Sequence, residues 1–280
     1  MEGRPTILYI HGMGGGADSR IPSILSECLH PSVRVVVRTY DFDPEIAAKQ
    51  ISSWIEELKP VAVAGESLGA NHALAMHYRY GLPTVLVSPA LNAPGVLSAL
   101  APVTLVPGVA ALLGRIYRPR PGDRQPVTFR FSLLRKWKTL KRELSFYYRS
   151  KDVASTPASF FRRSKDVAFT PASFYYRSQD VASTPASFYH RSKDVAFTPA
   201  SFYPRSKDES GAASVFAYFG TRDHYRRSGI VSLRKWRRLY GEGTFALYEG
   251  SHFMEETYVR TLLADRLRGL AEGSCEKSDA

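Results

Sequence analysis

Val61-Ala62-Val63-Ala64-Gly65-Glu66-Ser67-Leu68-Gly69-Ala70 is the stretch that decides how the chain is read, because it runs from an apolar strand pattern through G-x-S-x-G into a helical pattern. A serine on a tight strand-to-helix turn projects its hydroxyl out of the sheet. Only small neighbours at Gly65 and Gly69 let the backbones approach that closely. Ser67 is therefore the candidate nucleophile. Working outward, short apolar or β-branched runs recur at 7–10, 33–38, 61–64, 84–87, 214–219 and 244–248. Helical patterns fall at 21–29, 44–58, 70–80 and 255–270. The alternation predicts an α/β fold, a doubly wound, mostly parallel sheet covered on both faces.

Serine is a weak nucleophile until a base takes its proton, and the base needs an acid to hold its tautomer. Both residue types follow at strand ends: Asp223 in Phe-Gly-Thr-Arg-Asp-His after the fifth strand pattern, and His252 in Glu-Gly-Ser-His-Phe after the sixth. In a parallel sheet the carboxyl ends of the strands lie along one edge, so Ser67, Asp223 and His252 are expected to converge there. Glu249 and Glu255 compete for the acid role. A carboxylate from the preceding strand's loop, however, reaches His252 without doubling back.

The glycine-rich turn His11-Gly12-Met13-Gly14-Gly15-Gly16 after the first strand presents backbone N–H groups suited to a developing oxyanion, with Met13 and Leu68 as the expected donors. His11 reads as a structural turn residue. Glu66 is expected to face away from the nucleophile, solvated or ion-paired. Tyr40 and Asp41 read either as part of the pocket mouth or as an ordinary turn. The spacing of His72 and His77 misses the i, i+4 geometry of a helical metal pair, and no metal is expected. The segment from Gly12 to Ala17 also satisfies G-x-G-x-x-A, but a dinucleotide site there would leave Ser67, Asp223 and His252 without a role.

These motifs resemble the α/β-hydrolase superfamily, and within it the compact bacterial serine esterases that pair a His-Gly loop after the first strand with an early G-x-S-x-G. The resemblance covers residues 5–92 and 213–270. It implies the α/β-hydrolase fold and a serine hydrolase acting on a small-molecule ester without a cofactor; the irregular segment between the fourth and fifth strand patterns has no counterpart in the family pattern and fits either a lid-region insertion or a passive one. Ser67, Asp223 and His252 would be catalytic, Met13 and Leu68 oxyanion donors, and His11, Gly12, Gly65 and Gly69 the supporting loop and elbow. A thioesterase, amidase or lipase-like enzyme would use the same set, and a non-catalytic binding protein on the same scaffold is the alternative from another class.

The formal charge of +12 is unevenly spread, at −2 over residues 1–114, +13 over 115–208 and +1 over 209–280. The basic excess thus belongs to one internal segment. Within it a fourteen-residue repeat starts at Ser145, Ser159, Ser173, Ser187 and Ser201, each complete unit carrying one Thr-Pro that interrupts a helix. The expected organisation is a core of residues 1–114 and 209–280, a basic helical cap segment 115–144, and a repeat insertion 145–208 of short helical pieces or disorder. The repeat is the one hint of nucleic acid, which is not the expected partner, because no recognised binding module accompanies it. No charge occurs between Arg79 and Arg115, but five prolines and four glycines interrupt that stretch, so a buried strand and a broken apolar cap are expected in place of a membrane span. Two distant cysteines offer no disulfide framework. No charged n-region with a long apolar run precedes the first strand. A cytoplasmic protein is the expectation; oligomeric state is left open.

Overall fold

The computed structural model describes residues 4–117, 122–154 and 214–275. Six strands, β1 (Thr6–Ile10), β2 (Arg34–Val37), β3 (Ala62–Glu66), β4 (Thr84–Val87), β5 (Val215–Gly220) and β6 (Phe245–Tyr248), form one sheet in the order β2-β1-β3-β4-β5-β6. Every pairing is parallel, with Ile10 opposite Gly65, Glu66 opposite Val87, and Gly220 opposite Tyr248. The order reverses direction at β1, so the crevice beyond the carboxyl ends of β1 and β3 is the natural place for a site.

Strand side chains alternate between faces, and the core divides accordingly. Leu8, Ile10, Val63, Leu86, Ala217 and Phe219 enter one cluster, whereas Ile7, Tyr9, Ala64, Val85, Val87 and Tyr218 enter the other. The first face is covered by α2 (Pro44–Leu58), α3 (Gly69–Tyr80), α4 (Ala93–Leu100) and α6 (Phe131–Ala154); α5 (Val109–Ile116) precedes α6 and buries no residue fully. The second face is covered by α1 (Arg20–Leu29) and a C-terminal helical run, which continues from Glu256–Tyr258 through a π-helical stretch Val259–Leu263 into Ala264–Cys275.

Pro44 opens α2 with Asp43 as its N-cap, the Asp43 carboxylate accepting from the Glu45 N–H at 3.0 Å. The apolar stretch after β4 forms α4, a 3₁₀ turn Ala101–Leu105 and α5, with Pro94 and Pro102 in first turns, where the missing N–H costs nothing. No helix among the described residues is long and apolar enough to cross a membrane. The later part of the basic segment 115–144 lies inside α6, which buries Leu134, Trp137, Leu140 and Leu144. A further helix, Leu233–Tyr240 (here α7), escapes the periodicity reading. Trp236 is its buried residue, and Leu233, Leu239 and Tyr240 pack partly buried beside it, with Arg234, Lys235, Arg237 and Arg238 between them. The repeat units beyond residue 154 lie outside the described residues.

Candidate active site

Ser67 sits between the end of β3 and the start of α3 at φ +49°, a left-handed conformation that costs a β-carbon-bearing residue roughly 1–3 kcal/mol. It is held there from both sides. Its N–H donates to the Val87 carbonyl, and its carbonyl accepts from the Ala90 N–H, each at 3.0 Å. A Cβ at Gly69 would lie 2.1 Å from the His11 carbonyl oxygen, and one at Gly65 would lie 2.8 Å from the Ala73 Cβ. The two glycines therefore let the turn lie against β1 on one side and α3 on the other.

Asp223 follows β5 and caps the 3₁₀ turn His224–Arg226, its Oδ1 accepting from the Tyr225 N–H at 2.8 Å. Its Oδ2 lies 2.8 Å from His252 Nδ1. An ionised carboxylate only accepts, so the imidazole proton belongs on Nδ1 and Nε2 is left as an acceptor. Ser67 Oγ lies 2.8 Å from that Nε2 and donates to it. Asp223 and His252 are buried, and the Tyr225 ring packs edge-on against the imidazole at 4.6 Å. Glu249 instead faces Arg222 at 4.0 Å, and among the described residues neither it nor Glu255 bonds to His252.

Two residues that the sequence reading passed over bring His252 into place. A Cβ at Gly220 would lie 2.1 Å from the Ser251 carbonyl oxygen, so the loop after β6 crosses against bare backbone at the end of β5. Tyr248 donates from its hydroxyl to that same carbonyl at 2.8 Å. A glycine ending a buried strand pattern was the available signal for the first. The second carries no local signal.

The loop after β1 is clamped on both sides of Met13. Gly12 N–H donates to Glu66 Oε1 at 3.2 Å, Gly14 N–H donates to Gln125 Oε1 at 3.1 Å, and the Tyr117 hydroxyl donates to the Met13 carbonyl. Among the described residues neither the Met13 nor the Leu68 N–H donates a hydrogen bond, and both residues line the same cavity as Ser67. The expectation for Glu66 is corrected here. Its carboxylate is neither solvated alone nor ion-paired but takes two neutral donors, Gly12 N–H and, at 3.0 Å, the Tyr9 hydroxyl. Partial burial beside β1 leaves those as the nearest hydrogen-bonding groups. Gln125, from the segment before α6, also donates to the Tyr40 and Asp41 carbonyls, which ties the turn after β2 to the glycine-rich loop.

Tyr40 lies behind that loop instead of at the cavity mouth, stacked on His11 at 4.3 Å and donating to the His11 carbonyl at 2.7 Å. Asp41 belongs to the turn, accepting from the Asp43 N–H at 2.7 Å. His11 is fully buried and donates from Nδ1 to the Gly12 carbonyl; burial lowers its pKa to about 4. His72 is buried between Tyr40 and Trp137, and burial lowers its pKa to about 3, so both rings are neutral at pH 7. Among the described residues no group of three or more His, Cys, Asp or Glu side chains is arranged to hold a metal ion. The glycine-rich loop does not open a helix, since α1 starts only at Arg20, and a pyrophosphate would find no helix N-terminus there.

A cavity of about 610 Å³ opens over Ser67 and His252. Ala93, Val96, Leu97, Ile116, Ile230 and Phe253 give it an apolar wall, and Arg20 and Arg124 are among its charged lining residues. The parallel sheet order, the strand-to-helix turn at Ser67, and Asp223 and His252 on the loops after β5 and β6 together define an α/β-hydrolase fold. Residues 6–99, from β1 into α4, match the model of an uncharacterised protein family, UPF0227. No curated protein matches the chain. Among solved structures it is similar to Est1E from Butyrivibrio proteoclasticus, with 13% identity, 100% of this chain and 90% of that chain covered, and a TM-score of 0.45. It is also similar to FphF, the Staphylococcus aureus fluorophosphonate-binding serine hydrolase F, with 10% identity, 97% and 86% covered, and a TM-score of 0.46. A ferulic acid esterase is similar at 11% identity, with 97% and 86% covered and a TM-score of 0.45.

Proposed function

We propose that the protein is a serine hydrolase that cleaves carboxylic esters through an acyl-enzyme. The observation that carries this reading is the unbroken relay from Asp223 Oδ2 through His252 to Ser67 Oγ, with 2.8 Å at each contact. His252 Nε2 takes the Ser67 proton as Oγ attacks the ester carbonyl carbon, and Asp223 stabilises the imidazolium that forms. The carbonyl oxygen becomes an oxyanion received by the Met13 and Leu68 N–H groups. Collapse of the tetrahedral species breaks the C–O bond, and His252 returns its proton to the departing alcohol. Water then attacks the acyl-enzyme with His252 again as base, releasing the acid and restoring Ser67. Each step uses protein groups and water alone. The apolar wall of the cavity favours a substrate with a hydrocarbon acyl group over a sugar or a peptide.

The test is covalent labelling with a fluorophosphonate probe followed by peptide mapping, together with a p-nitrophenyl ester series of increasing acyl length. The expected result is a single adduct on Ser67 and turnover of at least part of the series. No adduct under conditions where control hydrolases label would sink the reading, and an adduct with no ester turnover would move it to thioesters or amides.

Tyr117 serves in this mechanism as a positioning residue, because its hydroxyl holds the carbonyl of the residue whose N–H meets the oxyanion. Tyr117→Phe removes one hydrogen bond and no charge. It is expected to lower kcat by about tenfold with KM for a short ester little changed, since the lost contact acts on the transition state. A change confined to KM would assign Tyr117 to the cavity wall alone.

A further inference from the structure

A second cavity, of about 330 Å³, lies on the far side of α4 from Ser67, between α4, α6 and the start of α7. Two ammonium groups reach it, Lys141 from α6 and Lys235 from α7, and among the described residues no carboxylate lines it. Lys235 Nζ donates to the Leu91 carbonyl at 3.2 Å and to Asn92 Oδ1 at 2.8 Å and stands 5.6 Å from the centroid of the Tyr148 ring, which leaves one N–H without a hydrogen-bond acceptor among the described residues. Lys141, whose ammonium lies against Gly95, makes no ion pair or side-chain hydrogen bond among the described residues, so none of its three donors is taken by them. Burial first, and then the nearby Arg238 and Lys141 charges, pull the Lys235 ammonium down to about 8. Asn92 and Ser145 add polar groups to the lining, and Leu91, Pro94, Leu144 and the ring of Tyr148 supply its apolar part.

We propose that this cavity binds a small phosphomonoester, its phosphate between Lys141 and Lys235 and its organic part against Leu91, Pro94 and Leu144. A dianion offsets both ammonium charges, which a single carboxylate does not. Lysines act on phosphate as movable point charges with several donors each. The site is independent of the ester-cleaving reading, since none of these residues bonds to Ser67, Asp223 or His252.

The experiment is isothermal titration calorimetry of the full chain with phenyl phosphate, inorganic phosphate and phenol, on the wild type and on Lys141→Gln, Lys235→Gln and Lys49→Gln. Lys49 lies exposed on α2 and controls for net charge. Saturable binding of phenyl phosphate is expected, stronger than that of inorganic phosphate, with no binding of phenol. Affinity is expected to fall by about tenfold or more in each cavity variant and to stay unchanged in Lys49→Gln. Lys141→Gln removes an ammonium that bonds to nothing in the described protein, so its fold is expected to survive even where Lys235→Gln loosens α4. No saturable binding, equal binding by Lys141→Gln and wild type, or an equal loss in Lys49→Gln would overturn the proposal.

Discussion

Ser67→Ala is expected to lower turnover of an activated ester by about 10⁶, the scale on which loss of a triad nucleophile acts in enzymes of this chemistry. In the proposed mechanism the substitution removes the one atom that forms the acyl bond, while the Met13 and Leu68 N–H groups and the cavity stay in place. Binding of the ester or its product acid is therefore expected to change little, so the loss should appear in kcat and not in the dissociation constant. Alanine carries the same β-carbon at φ +49°, so the backbone strain at the turn is neither relieved nor increased. Denaturant unfolding is expected to agree with the wild type to within about 1 kcal/mol. Steady-state kinetics beside an equilibrium binding measurement checks both halves. Residual turnover above a hundredth of the wild type would exclude Ser67 as the nucleophile.

Asp223→Asn is expected to lower turnover by about 10⁴ through a change of tautomer more than a loss of charge. Asp223 Oδ1 accepts the Tyr225 N–H at 2.8 Å, and only the oxygen of an asparagine amide can replace it there. The amide nitrogen must then occupy the place of Oδ2 and face His252 Nδ1. Two N–H donors cannot share that contact, so Nδ1 becomes the acceptor and the ring proton moves to Nε2. Nε2–H now points at Ser67 Oγ, and the serine has no base. The pH–rate profile is the measurement of choice, because strong alkali deprotonates serine without help and should recover part of the loss. A fall of less than tenfold at neutral pH would mean that Asp223 only packs against the imidazole.

Much of this arrangement was legible in the residues. The six strand patterns and the turn at Ser67 depend on side-chain period and on glycine, both local properties, and each pattern lies within a residue or two of its strand. Three features were not legible, and the reason is the same for each. Glu66 finds Gly12 across 54 residues, Tyr117 finds Met13 across 104, and Gln125 finds Gly14 across 111. None of these pairs leaves a periodic signal, because a hydrogen bond between distant segments constrains only the two groups that make it. Helix α7 was hidden for a different reason, since its eight residues span little more than two turns and four of them are basic, which leaves a short apolar stripe of Leu233, Trp236, Leu239 and Tyr240.

The residue order alone was enough to place a serine at the end of the third strand, with an aspartate and a histidine on loops after the fifth and sixth. Short-range sterics and period govern those features. Which carboxylate faces His252, across 29 residues, and whether the imidazole reaches Ser67, across 185, depended on parallel register and strand order. Those are set when the two cores pack on either side of the sheet, and a burial free energy summed over dozens of side chains has no address at any single position.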